Sequence, residues 1–302
     1  MIGFPASFRE VLEANRLEVK RLIELGPLED LIALLKEASR DLRRQLEQVP
    51  AGSFDAYRAT LFLVQIKFAV HEFERAVSRR YEAAWQPATR IAIPRHVLEV
   101  LRAGERAFPG AAARLPAEEA AVSAGALPGV DRSMLARFNK YNQKYSAQTL
   151  RRVETAIGRA LLADKSTFDV IEEMMDDRGI AGVFHERWKI DRVVTTELAH
   201  AYNASYLEHV KPLHASDDDL IVRWVEHVSD ATRQPLDSRV GKDSVFLHGQ
   251  VRVPGKPFND AIIGGSPVAP PNRPRDRGRL VLMRRSWLEK SGLLREDDAE
   301  AA

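Results

Sequence analysis

Apolar residues recur at helical spacing through most of the first hundred positions. Val11, Leu12, Leu17, Val19, Leu22, Ile23 and Leu25 make one stripe over Phe8–Leu25, with Gly26 as its expected stop. Pro27 suits the first turn of a second helix, whose stripe of Leu28, Leu31, Ile32, Leu34, Leu35, Leu42 and Leu46 runs to the breakers Val49, Pro50 and Gly52. A third helix, capped by Ser53, is expected over Phe54–Trp85. Its middle, TLFLVQIKFAV, is apolar on more than one face, so it is expected to pack on both preceding helices, either wholly as an internal bundle core or also as surface for another protein.

Beyond Gly104 the pattern fades. The stretch GERAFPGAAARLPAEEAAVSAGALPGV reads as a linker over 104–130. Asp131 then caps a helix around Met134–Leu162, Ser166 with Asp169 opens another, and Phe184–Val210 carries a stripe that Pro212 closes. After Asp219 the period shortens to two: LIVRWVEHV, SVFLHGQVRV and RLVLMRR predict three short strands joined by Pro- and Gly-rich loops. Helices first and strands last give an α+β fold with a small antiparallel sheet. The expected organisation is a helical docking region over 1–103, the 104–130 linker, an α+β domain over 131–288 and an acidic tail over 289–302.

Composition changes this picture little. A hydrophobic fraction of 45%, a charged fraction of 29% and a net charge of +2 over 302 residues are those of an ordinary folded chain. The absence of cysteine excludes disulfides, thiolate metal sites and a thiol nucleophile. The opening MIGFPASFREVLEANR has no signal-peptide pattern and no segment is apolar enough for a membrane, so the protein is expected to act where it is made.

Candidate chemistry is sparse. Glu197 and His200 form an E-x-x-H pair on a helix, but a di-metal site needs a second copy with two further glutamates, and the chain has no second E-x-x-H. Asp230, Asp237, His248 and Asp260 sit at strand ends and loops, where a hydrolytic or metal cluster and simple turn capping compete. No phosphate-loop, dinucleotide, zincin or nucleophile-elbow motif is present, and no cofactor is expected. Arg273, Arg275, Arg277 and Arg279 form a basic run suited to non-specific phosphate contact with DNA.

In order, the features of the second half resemble the phage Mu F-like head morphogenesis family. Thr195, Glu197, Ala201 and Asn203 stand in its helix motif, Trp224 in its strand, and Asp230 and Arg233 in its following loop. Pro271, Pro274 and Arg277 match its closing segment, with Arg273 where histidine is usual. Gln234, Asp237, Asp276 and Gly278 occupy the four cysteine positions, so the family's cross-loop clip is absent. Ionic pairs from Asp230 and Asp237 to Arg273, Arg275 or Arg277 are expected instead. The resemblance implies a non-enzymatic minor capsid protein of a phage or prophage, associated with the portal protein and other head proteins, in the virion or in the host cytoplasm during assembly. Alternatives are a metal-dependent hydrolase or toxin-like transferase on the C-terminal domain, and a plain DNA-binding module.

Overall fold

The computed structural model describes residues 3–109, 128–163, 165–175, 196, 198–230, 232, 234–236, 240–262, 264, 266–270 and 278–294, with the backbone alone at 24, 128–142, 144, 145, 173 and 174. The elements are α1 (Ala6–Lys20), α2 (Gly26–Leu46), α3 (Ala56–Arg80), α4 (Gln86–Ala107), α5 (Pro128–Leu162), α6 (Thr167–Met175), α7 (Ala199–Ser216), β1 (Leu220–Val225), α8 (Lys242–Leu247), β2 (Val251–Arg252), β3 (Arg279–Arg284) and α9 (Arg285–Ser291). The expected α+β class is therefore the observed one.

These elements form two compact units interleaved in sequence. One comprises residues 1–25, 86–134 and 194–302; the other comprises 26–85 and 135–193. This differs from the consecutive blocks that the hydropathy pattern suggested, because a helical stripe records that a face is buried and not what buries it.

Two helix stops expected from the sequence do not occur. The chain passes from α1 to α2 through a π-helical turn, Arg21–Leu25, and from α3 to α4 through another, Tyr81–Trp85. Each turn ends just ahead of a proline, Pro27 or Pro87. Inside an α-helix a proline ring meets the carbonyl four residues back and leaves it without a donor; a π turn widens the backbone at that point. Both turns lie where the chain crosses from one unit to the other. Pro212 likewise fails to end α7, since Glu208 and Pro212 are exposed and the orphaned carbonyl faces water.

The unit of α2, α3 and α6 is held by apolar stripes. Leu31, Leu35, Leu42 and Leu46 of α2 and Phe62, Ile66, Val70, Phe73 and Val77 of α3 are buried. Asp55, rather than Ser53, caps α3 by accepting from the Arg58 N–H at 2.9 Å. Ser166 and Asp169 complete the expected capping box: the Asp169 N–H donates to Ser166 Oγ at 3.1 Å and the Ser166 N–H to Asp169 Oδ2 at 3.3 Å.

In the other unit β1 is the central strand, antiparallel to β2 and β3 in the order β2-β1-β3. Val222 faces both Arg252 and Leu282 in register. The expected second strand is mostly α8, with only Val251–Arg252 extended. Every residue of β3 is buried, as are the first five of β1, so the sheet is covered on both faces instead of alternating in and out. Helices α1, α4 and α7 supply the cover within this unit, which corrects the linker boundary at 104. Gly104 lies inside α4 and a Cβ there would collide with the Trp287 ring. Phe4, Phe8, Phe108 and Trp287 form an aromatic cluster with centroids 5.0–6.5 Å apart.

Candidate functional site

The densest polar arrangement among the motif residues begins with a cation in a strand that has no solvent face. Arg223 of β1 is 2% exposed, so its guanidinium needs an anion. Asp230, in the loop after β1, supplies it as a two-point partner, with Nη1 donating to Oδ2 at 3.4 Å and Nη2 donating to Oδ1. His248, just past α8, is the second partner of Asp230. The Glu226 N–H donates to His248 Nδ1 at 3.1 Å, so the ring proton sits on Nε2 and is donated to Asp230 Oδ1 at 2.9 Å. Burial alone would raise the Asp230 pKa; the His248 hydrogen bond and the Arg223 charge outweigh it and hold the carboxyl well below its usual range. Both imidazole nitrogens are engaged, which leaves neither for proton transfer in this arrangement.

A second set of contacts fastens the closing segment. Asn203 of α7 donates from Nδ2 to the Gly278 carbonyl at 3.3 Å and accepts at Oδ1 from the Leu280 N–H at 2.9 Å. Tyr206, one turn on, accepts the Leu282 N–H at 2.8 Å. Trp224 packs edge-on against Phe258 at 5.1 Å and donates Nε1–H to Glu226 Oε1 at 2.6 Å. A Cβ at Gly278 would run into the Glu226 carboxylate, the Trp224 indole nitrogen and Pro270. The site where a cysteine was expected thus has no room for any side chain.

Among the residues singled out from the sequence, Asn203, Trp224 and Asp230 lie in this one unit, on α7, β1 and the following loop. Asp230 pairs with Arg223 and His248, while its expected partners Arg273, Arg275 and Arg277 lie outside the described residues. Glu197, Arg233, Asp237, Pro271, Arg273, Pro274, Arg275, Asp276 and Arg277 lie outside the described residues. Arg279 is a correction: at 7% exposed it is a strand residue donating Nη2–H to the Leu12 carbonyl at 2.6 Å, and not a surface contact for DNA. Asp260 is 1% exposed and accepts the Ile262 N–H at 3.1 Å, the turn-capping alternative. Among the described residues no group of three or more acidic or histidine side chains is placed to hold a metal ion. No helix among them is long and apolar enough to cross a membrane.

Two further networks escaped the sequence reading. Arg284 of β3, fully buried, donates from Nε to Glu105 Oε1 at 2.7 Å and pairs through Nη1 with Asp217. His96 of α4 bridges Tyr202 and Glu18, with Nδ1 at 2.8 Å from the Tyr202 hydroxyl and Nε2 at 3.1 Å from Glu18 Oε2. The available signal was an arginine inside an apolar strand, LIVRWV or RLVLMR, which must carry an acid with it. Comparison with family models, curated proteins and solved structures finds no match to this chain.

Proposed function

We propose that the protein is a minor head protein of a tailed phage or prophage, acting by association with the portal and other head proteins and not by catalysis. The observation that carries this reading is the bonding of Asn203 to Gly278 and Leu280, which joins the helix motif to the segment that follows the Pro271–Arg277 motif. Trp224 and Asp230 belong to the same unit, in the chain order of the Mu F-like pattern. The saturated Asp230–His248 pair favours a structural role for the polar residues that an enzyme would have needed free. Tyr57, Val64 and Phe68 of α3 are 65%, 57% and 54% exposed and, with half-buried Leu61, recur at the spacing of a helix-docking seam. Contact with packaged DNA through Arg273, Arg275 and Arg277 is the secondary part of this proposal.

Co-expression of the full chain with a tailed-phage portal protein, followed by size-exclusion chromatography, tests the reading. Co-elution that Val64→Asp with Phe68→Asp disrupts is expected. A folded chain that elutes alone in the presence of intact portal rings and heads rejects it.

A further inference from the structure

The solvent side of α5 carries charge of almost one sign. Its inner side is fixed by Ser146, Thr149, Val153, Ile157 and Ala160, all of them buried. Across the helix from these, Gln148, Arg151, Arg152, Thr155 and Arg159 are exposed. The helical register of the backbone carries the same outer row back through Lys144 and Lys140 to Arg137. Between Arg137 and Arg159 the sequence has six basic residues, all on or beside this row, and one acid, Glu154. The whole chain has 45 basic residues against 43 acidic ones, so the bias belongs to this face and not to the composition.

The one acid of this stretch is engaged elsewhere, since Glu154 lies at the edge of the row and pairs with Lys67 of α3 at 3.5 Å. Arg151 donates from Nε to the Ala147 carbonyl at 3.4 Å, and neither it nor Arg159 has a carboxylate partner among the described residues. Other arginines of the same unit sit beside acids: Arg43 with Glu47 and Glu172, Arg44 with Asp41, and Arg75 with Glu72. What the row lacks also narrows its partner. A helix that lies in a membrane surface inserts its apolar face, and that of α5 is already buried in the protein. A protein partner needs an apolar or aromatic centre to dock on, and the exposed positions from Gln148 to Arg159 offer none.

We propose that the outer face of α5 binds the phosphate backbone of a nucleic acid. From Arg137 to Arg159 the row runs about 33 Å at 1.5 Å per residue, close to one turn of a duplex. Its two uncharged members, Gln148 and Thr155, are also residue types that donate to phosphates. A long surface of one sign without an apolar anchor matches a polymer that repeats one charge, and neutralising those phosphates releases counterions without reading the base sequence. This inference does not rest on the head-protein reading, and it uses residues other than Arg273, Arg275 and Arg277.

The test is fluorescence anisotropy of a labelled short duplex of arbitrary sequence, and of one of its strands, titrated with the full chain over a series of salt concentrations. Saturable binding of at least one form, weakening as salt rises, is expected. Arg151→Gln with Arg152→Gln and Arg159→Gln should weaken it at least about tenfold and lower the steepness of its salt dependence by about 2–3 in log–log slope. Arg137→Gln with Lys140→Gln and Lys144→Gln should act alike. Arg43→Gln with Arg44→Gln and Arg75→Gln removes the same charge elsewhere in the unit and should leave binding unchanged. Glutamine is a good helix former, so these variants should keep the parent circular dichroism; if one α5 variant fails to fold, the other decides. The α5 losses should recur in a chain whose Arg273, Arg275 and Arg277 are all replaced by glutamine, which separates this face from the DNA contact proposed above. No saturable binding, or equal weakening by the α5 variants and the control, overturns the proposal. Polyglutamate that displaces the nucleic acid as well as unlabelled oligonucleotide does also overturns it and assigns the face to an acidic protein segment.

Discussion

The two compact units solve the problem of burial with different chemistry. In the unit of α2, α3 and α6 the interior is dominated by leucine, isoleucine, valine and aromatic residues, and each ion pair described there, such as Lys67–Glu154 at 3.5 Å, has at least one partner well exposed. In the sheet unit, charge goes inside: Arg284 with Glu105 and Asp217, Arg223 with Asp230, His96 with Glu18. The contrast follows from geometry. A helix needs to bury only a stripe and turns its charges to water, whereas a strand covered on both faces has no such exit. An arginine placed in that strand selects one arrangement, the one that brings its acid.

The largest expected break in this contrast is Arg284→Met. It strands the Glu105 and Asp217 carboxylates in the interior and should cost about 3–5 kcal/mol in urea unfolding, as for other broken buried pairs. Adding Glu105→Gln and Asp217→Asn should restore much of that loss, because the three charges act as one set. Leu42→Ala comes next. Leu42 is 1% exposed, and the cavity should cost about 3 kcal/mol with no dependence on salt.

A smaller effect sharpens the comparison through pH. His209 of α7 is 4% exposed, both its ring nitrogens lack partners, and burial lowers its pKa. His96 shifts the same way, burial outweighing Glu18. A histidine held neutral in the fold binds its proton more readily when unfolded. Stability is therefore full above the unfolded value of about 6.5 and falls as pH drops from there toward the folded pKa. The urea midpoint should decline between pH 7.5 and 5.5, and His209→Leu should flatten that decline; an unchanged slope would remove His209 from the account. The smallest effect belongs to Lys67→Gln, expected at about 0.5 kcal/mol or less and vanishing in high salt, as for other exposed pairs.

Much of the fold could be read from spacing. The stripes of α2 and α3, the Ser166–Asp169 capping box, and the change of period after Asp219 each depend on neighbours a few positions apart. The misreadings share a cause. Gly26 and Pro212 are breakers by local propensity, yet a π turn and an exposed face absorb them within longer helices. SVFLHG alternates like a strand and is mostly α8, since a short apolar run fits either period.

Of the candidate site, Asn203, Trp224 and Asp230 were legible as residues but not as contacts. The pairing of Asp230 with Arg223, only a few positions back, went unread because a buried strand arginine's need for an acid was not weighed. Gly278, taken as a vacant cysteine position, is required because Trp224, Glu226 and Pro270 fill the space a side chain would occupy.

The sequence by itself determined the α+β class, the helical stripes, the strands at the far end and the absence of sulfur chemistry, all of them local or compositional properties. The tertiary structure alone decided that Glu105 serves Arg284, that Glu18 and Tyr202 share His96, and that Arg279 donates to the Leu12 carbonyl. Those outcomes join positions scores of residues apart, and the pairing energy of two charges depends on their distance and on the water between them, neither of which is written along the chain.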